Sequence, residues 1–476
     1  MGIIMLAAVG FDREKDAAAA LAVAAIAMLA YQPGWVYDLS FQLSFGATAG
    51  LVYLYPLARE KLKRLPKWLA AGIAVTFAAQ ASVLPVLAWY FNSLSLSAFL
   101  ANLLIVPVVE GLVILALAAS LLGIVWPWGA AALFFISGTL TGLVIQATSL
   151  VAAIPGGSLY LPSLNLGQSL IYYLLLFWLF GLKLPWLPEA ALLLRQWPRA
   201  AGCAAAGFLC LSLVWNMLPE PVSVHFIDVG QGDATLVTTP HGRAILIDTG
   251  GIMAQGSDFD IGERVVLPYL RHYGILSLDY LILTHGHQDH AGGAAAIAAA
   301  IPVKHILVAA EEPTPAIQKL AQVRNRATLI PAFAGQTILL DEVSIEVVHA
   351  ADARARSGNE ASSVLRVAAG PHSFLITGDA TAEEESQMVK NGLLPVTVLK
   401  AGHHGAKTST TQEFLETLKP GYAVISAGAG NRYGHPNPEV LERLTKNSVK
   451  ILRTDQNGAI LFRAGKDFLQ IKTCVE

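Results

Sequence analysis

Six residues carry the strongest chemical signal in the chain: His285-Gly-His287-Gln-Asp289-His290 gathers three imidazoles and a carboxylate into one short loop. Alternate residues of a tight loop project to different sides, so such a run can feed two adjacent ions. With no thiolate among the donors, zinc, manganese and iron all suit it. One loop cannot close two coordination shells, and further ligands have to arrive from elsewhere. Asp379, after Gly378, is a carboxylate placed to bridge two metals. Lys400-Ala-Gly-His403-His404-Gly405 offers two adjacent imidazoles, one a ligand and its neighbour a supporting group or an acid. Asn431-Arg-Tyr-Gly-His435-Pro-Asn-Pro438 offers a last histidine, as ligand or substrate contact. His225, His241, His272, His305, His349 and His372 lack ligand-like neighbours and are expected to be ordinary strand or surface residues.

The elements that position these groups read as short strands followed by turns. Apolar β-type runs at 224–229, 234–238 and 244–247 alternate with Gly230-Gln-Gly-Asp233 and Asp248-Thr-Gly-Gly251. A buried strand over 278–283 leads into the histidine loop, and an alanine-rich, helix-compatible run follows it. Strands over 373–377, 396–399 and 422–426 each precede one of the other candidate ligands. Every ligand is therefore expected at the carboxyl end of a strand, and the start of a helix after the histidine loop adds positive potential for an anionic substrate.

The rest of the chain is written for a different solvent. Of 476 residues, 54% are apolar and 14% charged, which excludes a single soluble domain. Residues 1–218 hold 10 Lys/Arg and 7 Asp/Glu, whereas 219–476 hold 22 and 27; all nine tryptophans lie in the first part and all twelve histidines in the second. The net charge of −2 offers no global basic field, so a nucleic acid would be gripped locally. Cys203, Cys210 and Cys474 are too few and too scattered for a disulfide framework or a cysteine-based zinc site.

Apolar stretches near 17–32, 39–57, 68–91, 97–122, 129–153, 168–183 and 199–218 are expected to be membrane spans, about seven in all. Basic residues crowd at Arg59, Lys61, Lys63, Arg64 and Lys67 and again at Lys183, Arg195 and Arg199, which places both loops in the cytoplasm and the C-terminal domain on the outer side. Gln42, Ser44, Gln80, Ser82, Asn102, Glu110 and Gln146 are polar groups inside the spans. Gln42, Asn102 and above all Glu110 are candidates for a transport pathway, since an ionisable side chain in a bilayer either meets a wet cavity or a partner, or lies near an interface. Pro85 and Pro107 free backbone carbonyls, tolerable where they face protein or water.

The C-terminal pattern of Asp248, His285-x-His287-x-Asp289-His290, Asp379 and a late histidine resembles the metallo-β-lactamase superfamily. That resemblance implies an αββα sandwich with a dinuclear site at one edge of its sheets. Together with Asp38-Leu-Ser-Phe-Gln-Leu-Ser-Phe45, Ala79-Gln-Ala-Ser-Val-Leu-Pro85, Ala101-Asn-Leu-Leu-Ile-Val-Pro107, His225-Phe-Ile-Asp-Val-Gly-Gln-Gly-Asp233, His403-His-Gly-Ala-Lys407 and Arg432-Tyr-Gly-His-Pro436, the whole chain resembles the bacterial ComEC/Rec2 family of competence proteins. The resemblance implies a multi-pass protein of the cytoplasmic membrane that imports single-stranded DNA during natural transformation. Its lactamase-like domain would degrade the other strand, and membrane lipid, further competence proteins and a homo-oligomer would be its partners. The family also carries a soluble oligonucleotide-binding-fold domain and further spans ahead of the region matched here, so the expectation is a chain truncated at its amino end.

On this reading residues 1–218 form the competence-type membrane domain and 219–476 the hydrolase. Two divalent ions, zinc or manganese, are expected: one at His285, His287 and His404, the other at Asp289, His290 and His435, with Asp379 between them. The lactamase pattern has a further histidine before the bridging aspartate; the stretch Ser357-Gly-Asn359-Glu-Ala-Ser-Ser363 has none, and His403 or His404 is expected in its place. Asp289, His403 and Lys407 are the expected catalytic groups, and Lys400, Lys407 and Arg432 the phosphate contacts. Asp248 and Asp233 are expected to orient the loops behind the ligands. The rival reading is a membrane-anchored phosphodiesterase or esterase without transport.

Overall fold

The computed structural model describes residues 17–180 and 220–475, apart from 253–258, 310–312, 324–326, 328 and 351–357, together with 203, 207, 208 and 211. The chain divides into two compact units, Met1–Asn216 and Met217–Glu476.

The first unit is helical. Helices α1 (Ala17–Tyr31), α2 (Leu39–Lys61), α3 (Lys67–Tyr90), α4 (Ser97–Gly123), α5 (Pro127–Ala152) and α6 (Leu166–Phe180) stand where six of the apolar stretches were read; the seventh, and the loop with Lys183, Arg195 and Arg199, fall in the segment of which only 203, 207, 208 and 211 are described. Among the described residues α3, α4 and α5 are long and apolar enough to cross a membrane, while α1 and α6 are shorter apolar helices. Two short strands, β1 (Ser93–Ser95) and β2 (Ser158–Tyr160), pair antiparallel.

Two sequence features set the packing of this unit. Gly46 and Gly50, one turn apart, let α2 lie directly on α3: a Cβ on Gly50 would stand 2.3 Å from the Ala78 carbonyl oxygen, the close approach that small residues permit. Pro85 has no N–H, so the Ala81 carbonyl loses its helical partner; the Tyr172 hydroxyl of α6 donates to that oxygen at 2.7 Å. Gln42 Nε2 donates to Val36 O at 2.9 Å and Asn102 Nδ2 to Thr76 Oγ1 at 3.2 Å. Both amides are thus engaged within the unit, Asn102 as a link from α4 to α3.

The second unit is an αββα sandwich. Its first sheet has the order β17-β16-β3-β4-β5-β6-β7-β8 and its second the order β15-β14-β13-β12-β11-β10-β9. The first contains β3 (Val222–Phe226), β4 (Thr235–Thr238), β5 (Ala244–Ile247), β6 (Leu278–Leu283), β7 (Val303–Val308), β8 (Leu329–Pro331), β16 (Ile460–Ala464) and β17 (Leu469–Thr473). The second contains β9 (Thr337–Leu340), β10 (Val343–His349), β11 (Val364–Ala369), β12 (His372–Ile376), β13 (Val398–Lys400), β14 (Tyr422–Ile425) and β15 (Lys450–Arg453).

Strand periodicity builds the layers, since successive side chains point to opposite faces. On β5, Ile245 and Ile247 enter the core between the sheets with Phe226, Phe374, Ile376 and Val398, whereas Ala244 and Leu246 face outward. Outside the first sheet lie α7 (Leu267–His272), α9 (Ala294–Ala300) and α10 (Pro315–Ala321), and outside the second α11 (Ala382–Lys390), α12 (Gln412–Leu418) and α13 (Pro438–Lys446). The strands β5–β6 and β12–β13–β14 run parallel, so the loops after them open at one end of each sheet.

Candidate metal centre

The loop after β6 becomes the single turn α8 (Gln288–Ala291), with His287 at its N-cap. It sits against the loop after β5 at a distance only glycine allows: a Cβ on Gly251 would lie 1.9 Å from the Gln288 carbonyl oxygen, and one on Gly262 2.2 Å from Gly293 O. Asp248, at φ +58°, closes the other side. It accepts from the Thr284 amide at 2.8 Å, from the Thr284 hydroxyl at 2.7 Å and from His290 Nδ1 at 2.9 Å. With its Nδ1 proton committed, His290 presents Nε2.

The second sheet delivers the complement. Asp379 follows β12, and its amide donates to the Ser362 hydroxyl at 3.1 Å. His403 and His404, after β13, both adopt positive φ, 49° and 55°. This turn sends them apart. His404 Nδ1 donates to the Ser426 carbonyl at 3.0 Å, leaving Nε2 3.2 Å from Asp289 Oδ2.

Ligand atoms mutually within 4.8 Å fall into the sets Asp289, His290, Asp379, His404; His285, His287, Asp379; and Asp233, Asp248, His290. Asp379 spans the first two. Its Oδ1 lies 3.1 Å from His290 Nε2 and 3.8 Å from His404 Nε2, and its Oδ2 3.9 Å from His285 Nε2 and 3.8 Å from His403 Nε2. Nε2 of His285 and His290, with Oδ1 of Asp289 and Asp379, is buried without a hydrogen-bond partner. Orphaned donors of this kind are costly in a protein interior, and their convergence fits a divalent cation.

Electrostatics follow the same geometry. Burial pulls the His290 imidazole down, but the Asp379, Asp248 and Asp233 carboxylates outweigh it and hold it well above its ordinary range. For His404, burial is again outweighed, here by Asp379 and Asp233, and the value rises to about 9. Burial favours a protonated Asp379, yet His290 and His404 hold it well below the carboxylate range. His285 is pushed well below its ordinary value by burial and by His290.

Three expectations change. His404 stands with Asp289, His290 and Asp379 and not with His285 and His287, because its Nδ1 is fixed to Ser426 and its Nε2 is thereby aimed at Asp289. His435 belongs to neither set; its ring lies 5.6 Å from that of His403 and 6.3 Å from that of His404, with Nδ1 buried and unpartnered. Lys400 is fully buried beneath the site, where its ammonium pairs with Asp233 and donates to Gly378 O at 3.4 Å, so it does not reach the surface a phosphate would approach. Asp233 also lies 3.5 Å from His404 Nδ1 and 3.7 Å from His290 Nδ1. Lys407 and Arg432 are exposed, the first paired with Glu439 at 2.7 Å and the second against the Tyr433 ring at 5.1 Å. Glu110 is exposed on α4, in a groove with Val106, Val109, Val113 and Ile114.

Sequence reasoning did not single out Thr284, Ser362 or the side chain of Asn359. Asn359 Nδ2 lies 3.3 Å from the His403 ring nitrogens, and its Oδ1 is buried without a partner. The glycine pairs 250–251 and 292–293 were a usable signal for the loop contact, since paired glycines mark close backbone approach.

The model of the Competence protein family matches residues 1–186, and that of the metallo-beta-lactamase superfamily residues 227–429. ComE operon protein 3 of Bacillus subtilis (strain 168) is 30% identical over 471 residues, covering 94% of this chain and 58% of that protein. Recombination protein 2 of Haemophilus influenzae is 30% identical, covering 91% of this chain and 56% of that protein. Competence protein ComA of Neisseria gonorrhoeae is 32% identical, with shares of 98% and 62%. The chain thus spans about three-fifths of the length of these curated relatives. Residues 1–186 thus match the competence proteins and residues 227–429 the metallo-beta-lactamase superfamily.

Proposed function

We propose that this protein takes part in DNA uptake, its first unit carrying a single strand across the cytoplasmic membrane and its second hydrolysing phosphodiester bonds of the strand that is not imported. The observation that carries the hydrolase reading is the convergence of buried, unpartnered donors from His285, His290, Asp289 and Asp379. The competence relatives support a role in DNA uptake, and DNA is on that ground the substrate in this reading.

In this reading Asp289, His290, Asp379 and His404 would hold one cation and His285, His287 and Asp379 the other. Divalent ions bound there would supply Lewis acidity toward phosphoryl oxygens and lower the pKa of a nearby water. Asp248 engages the Nδ1 proton of His290 and the Ser426 carbonyl that of His404, so that Nε2 of each points inward. His403, half-buried beside Asp379 and held below its ordinary range by burial, is the imidazole placed to hydrogen-bond the departing oxygen. Lys407 and Arg432 are the exposed cations available to a phosphate backbone, with His435 beside His403 as a further contact. Glu110, Gln42 and Asn102 remain the candidates for the transport path, and the basic loop after α2 argues for the second unit on the outer face.

The test is cleavage of labelled single- and double-stranded DNA by the purified full chain with added manganese or zinc. Cleavage that is lost in Asp379→Asn is expected. Metal binding without cleavage of any DNA would overturn the nuclease assignment.

A further inference from the structure

The two halves of the metal centre are unequally built. Around Asp289, His290, Asp379 and His404 there are two carboxylates and two imidazoles, and each imidazole has its far nitrogen engaged: His290 Nδ1 by Asp248 at 2.9 Å and His404 Nδ1 by the Ser426 carbonyl at 3.0 Å, with Asp233 Oδ1 3.5 Å away. Among the described residues, the other half has two imidazoles and only the shared Asp379. Behind His285 Nδ1 stand hydroxyls alone, Thr284 at 3.3 Å and Ser362 at 3.5 Å. Beside this half the chain brings Gly358, whose Cβ position lies 3.9 Å from His287 Nε2, and then Asn359, whose amide oxygen is buried and unpartnered. His403 is on the same side of Asp379 but outside the set of mutually close ligand atoms, with Asn359 Nδ2 against its ring.

Resting on the hydrolase reading, we infer that the centre holds one cation tightly, at Asp289, His290, Asp379 and His404, and a second one weakly and exchangeably at His285 and His287, with Asn359 as the residue that sets this difference. A neutral amide oxygen is a poorer donor than imidazole or carboxylate for zinc-like ions. Loss of a firm hydrogen-bond partner behind a ligating histidine lowers affinity by roughly tenfold to a hundredfold. The weak position is thereby left open to an oxygen ligand from outside the chain, such as a phosphate.

The experiment loads the full chain in detergent with excess manganese or zinc, removes free metal over a chelating resin, and counts ions per chain by mass spectrometry. The wild type is expected to retain one ion, Asp289→Ala none, and His287→Ala and His403→Ala one each. Asn359→Asp, which keeps the size and adds a charge, is expected to retain two. Two ions retained by the wild type, or an ion lost in His287→Ala but kept in Asp289→Ala, would overturn the inference while leaving a metal-dependent hydrolase standing. A wild type that retains no ion would remove both.

Discussion

Asp379 is the residue on which the site turns, because its two oxygens face different histidines, Oδ1 toward His290 and His404 and Oδ2 toward His285 and His403. Behind it, Asp248 is held by two hydrogen bonds from Thr284, one from the amide and one from the hydroxyl. Thr284→Val keeps the shape and the amide bond but removes the hydroxyl, freeing Asp248 to turn from His290. Metal affinity is expected to fall by about tenfold to a hundredfold, with folding retained; calorimetric titration with manganese checks this, and an unchanged affinity would show that the amide alone fixes Asp248. His-x-His-x-Asp-His was legible because its ligands are contiguous. Thr284 and Asn359 were not, since neither is a ligand type and each matters only through a neighbour distant in sequence.

At the scale of elements, the site depends on loops packed closer than side chains permit. Gly251→Ala would drive a methyl group into the Gln288 carbonyl. Displacement of the histidine loop is expected to cost about 3 kcal/mol or more, measured as a lower urea midpoint for the metal-free protein with unchanged slope. A second element-scale prediction concerns β3. His225, in the wall of the first sheet, contacts the Tyr269 hydroxyl at 3.1 Å and packs on the Tyr273 ring. Burial, with Arg463 adding, lowers it from 6.5 to about 3. The fold therefore favours neutral His225, and its contribution is complete above pH 6.5 and lost as pH falls toward 3, by about 1.4 kcal/mol per pH unit across that window. His225→Phe should flatten this part of the acid-unfolding curve; an unchanged slope between pH 6 and 4 would assign it to other groups. The sequence marked His225 only as lacking ligand-like neighbours, since the tyrosines beside it, Tyr269 on α7 and Tyr273 just after it, are distant in sequence.

For the molecule as a whole, the predictions separate the two units. With Cys203, Cys210 and Cys474 all replaced by serine, Lys466→Cys on the exposed turn between β16 and β17 should react with a membrane-impermeant maleimide in intact cells if the second unit lies outside; labelling only after lysis would place it in the cytoplasm. Glu110→Gln is expected to reduce DNA uptake at least tenfold while the purified protein cleaves DNA at the wild-type rate, and unchanged uptake would remove Glu110 from the pathway.

The division into an apolar helical part and a strand-rich part with candidate metal ligands at strand ends was determined by the sequence alone, because hydropathy and strand period are local properties of contiguous residues. So were Asp379 as the shared carboxylate position and Pro85 as a source of a free carbonyl. Which oxygen of Asp379 faces which histidine, the placing of His404 with Asp289 and His290, the burial of Lys400 against Asp233 and the seat of Asn359 beside His403 were decided only in the folded chain. Each depends on loops from two sheets meeting in space, and on left-handed turns and glycine contacts whose effect on side-chain direction has no linear signature.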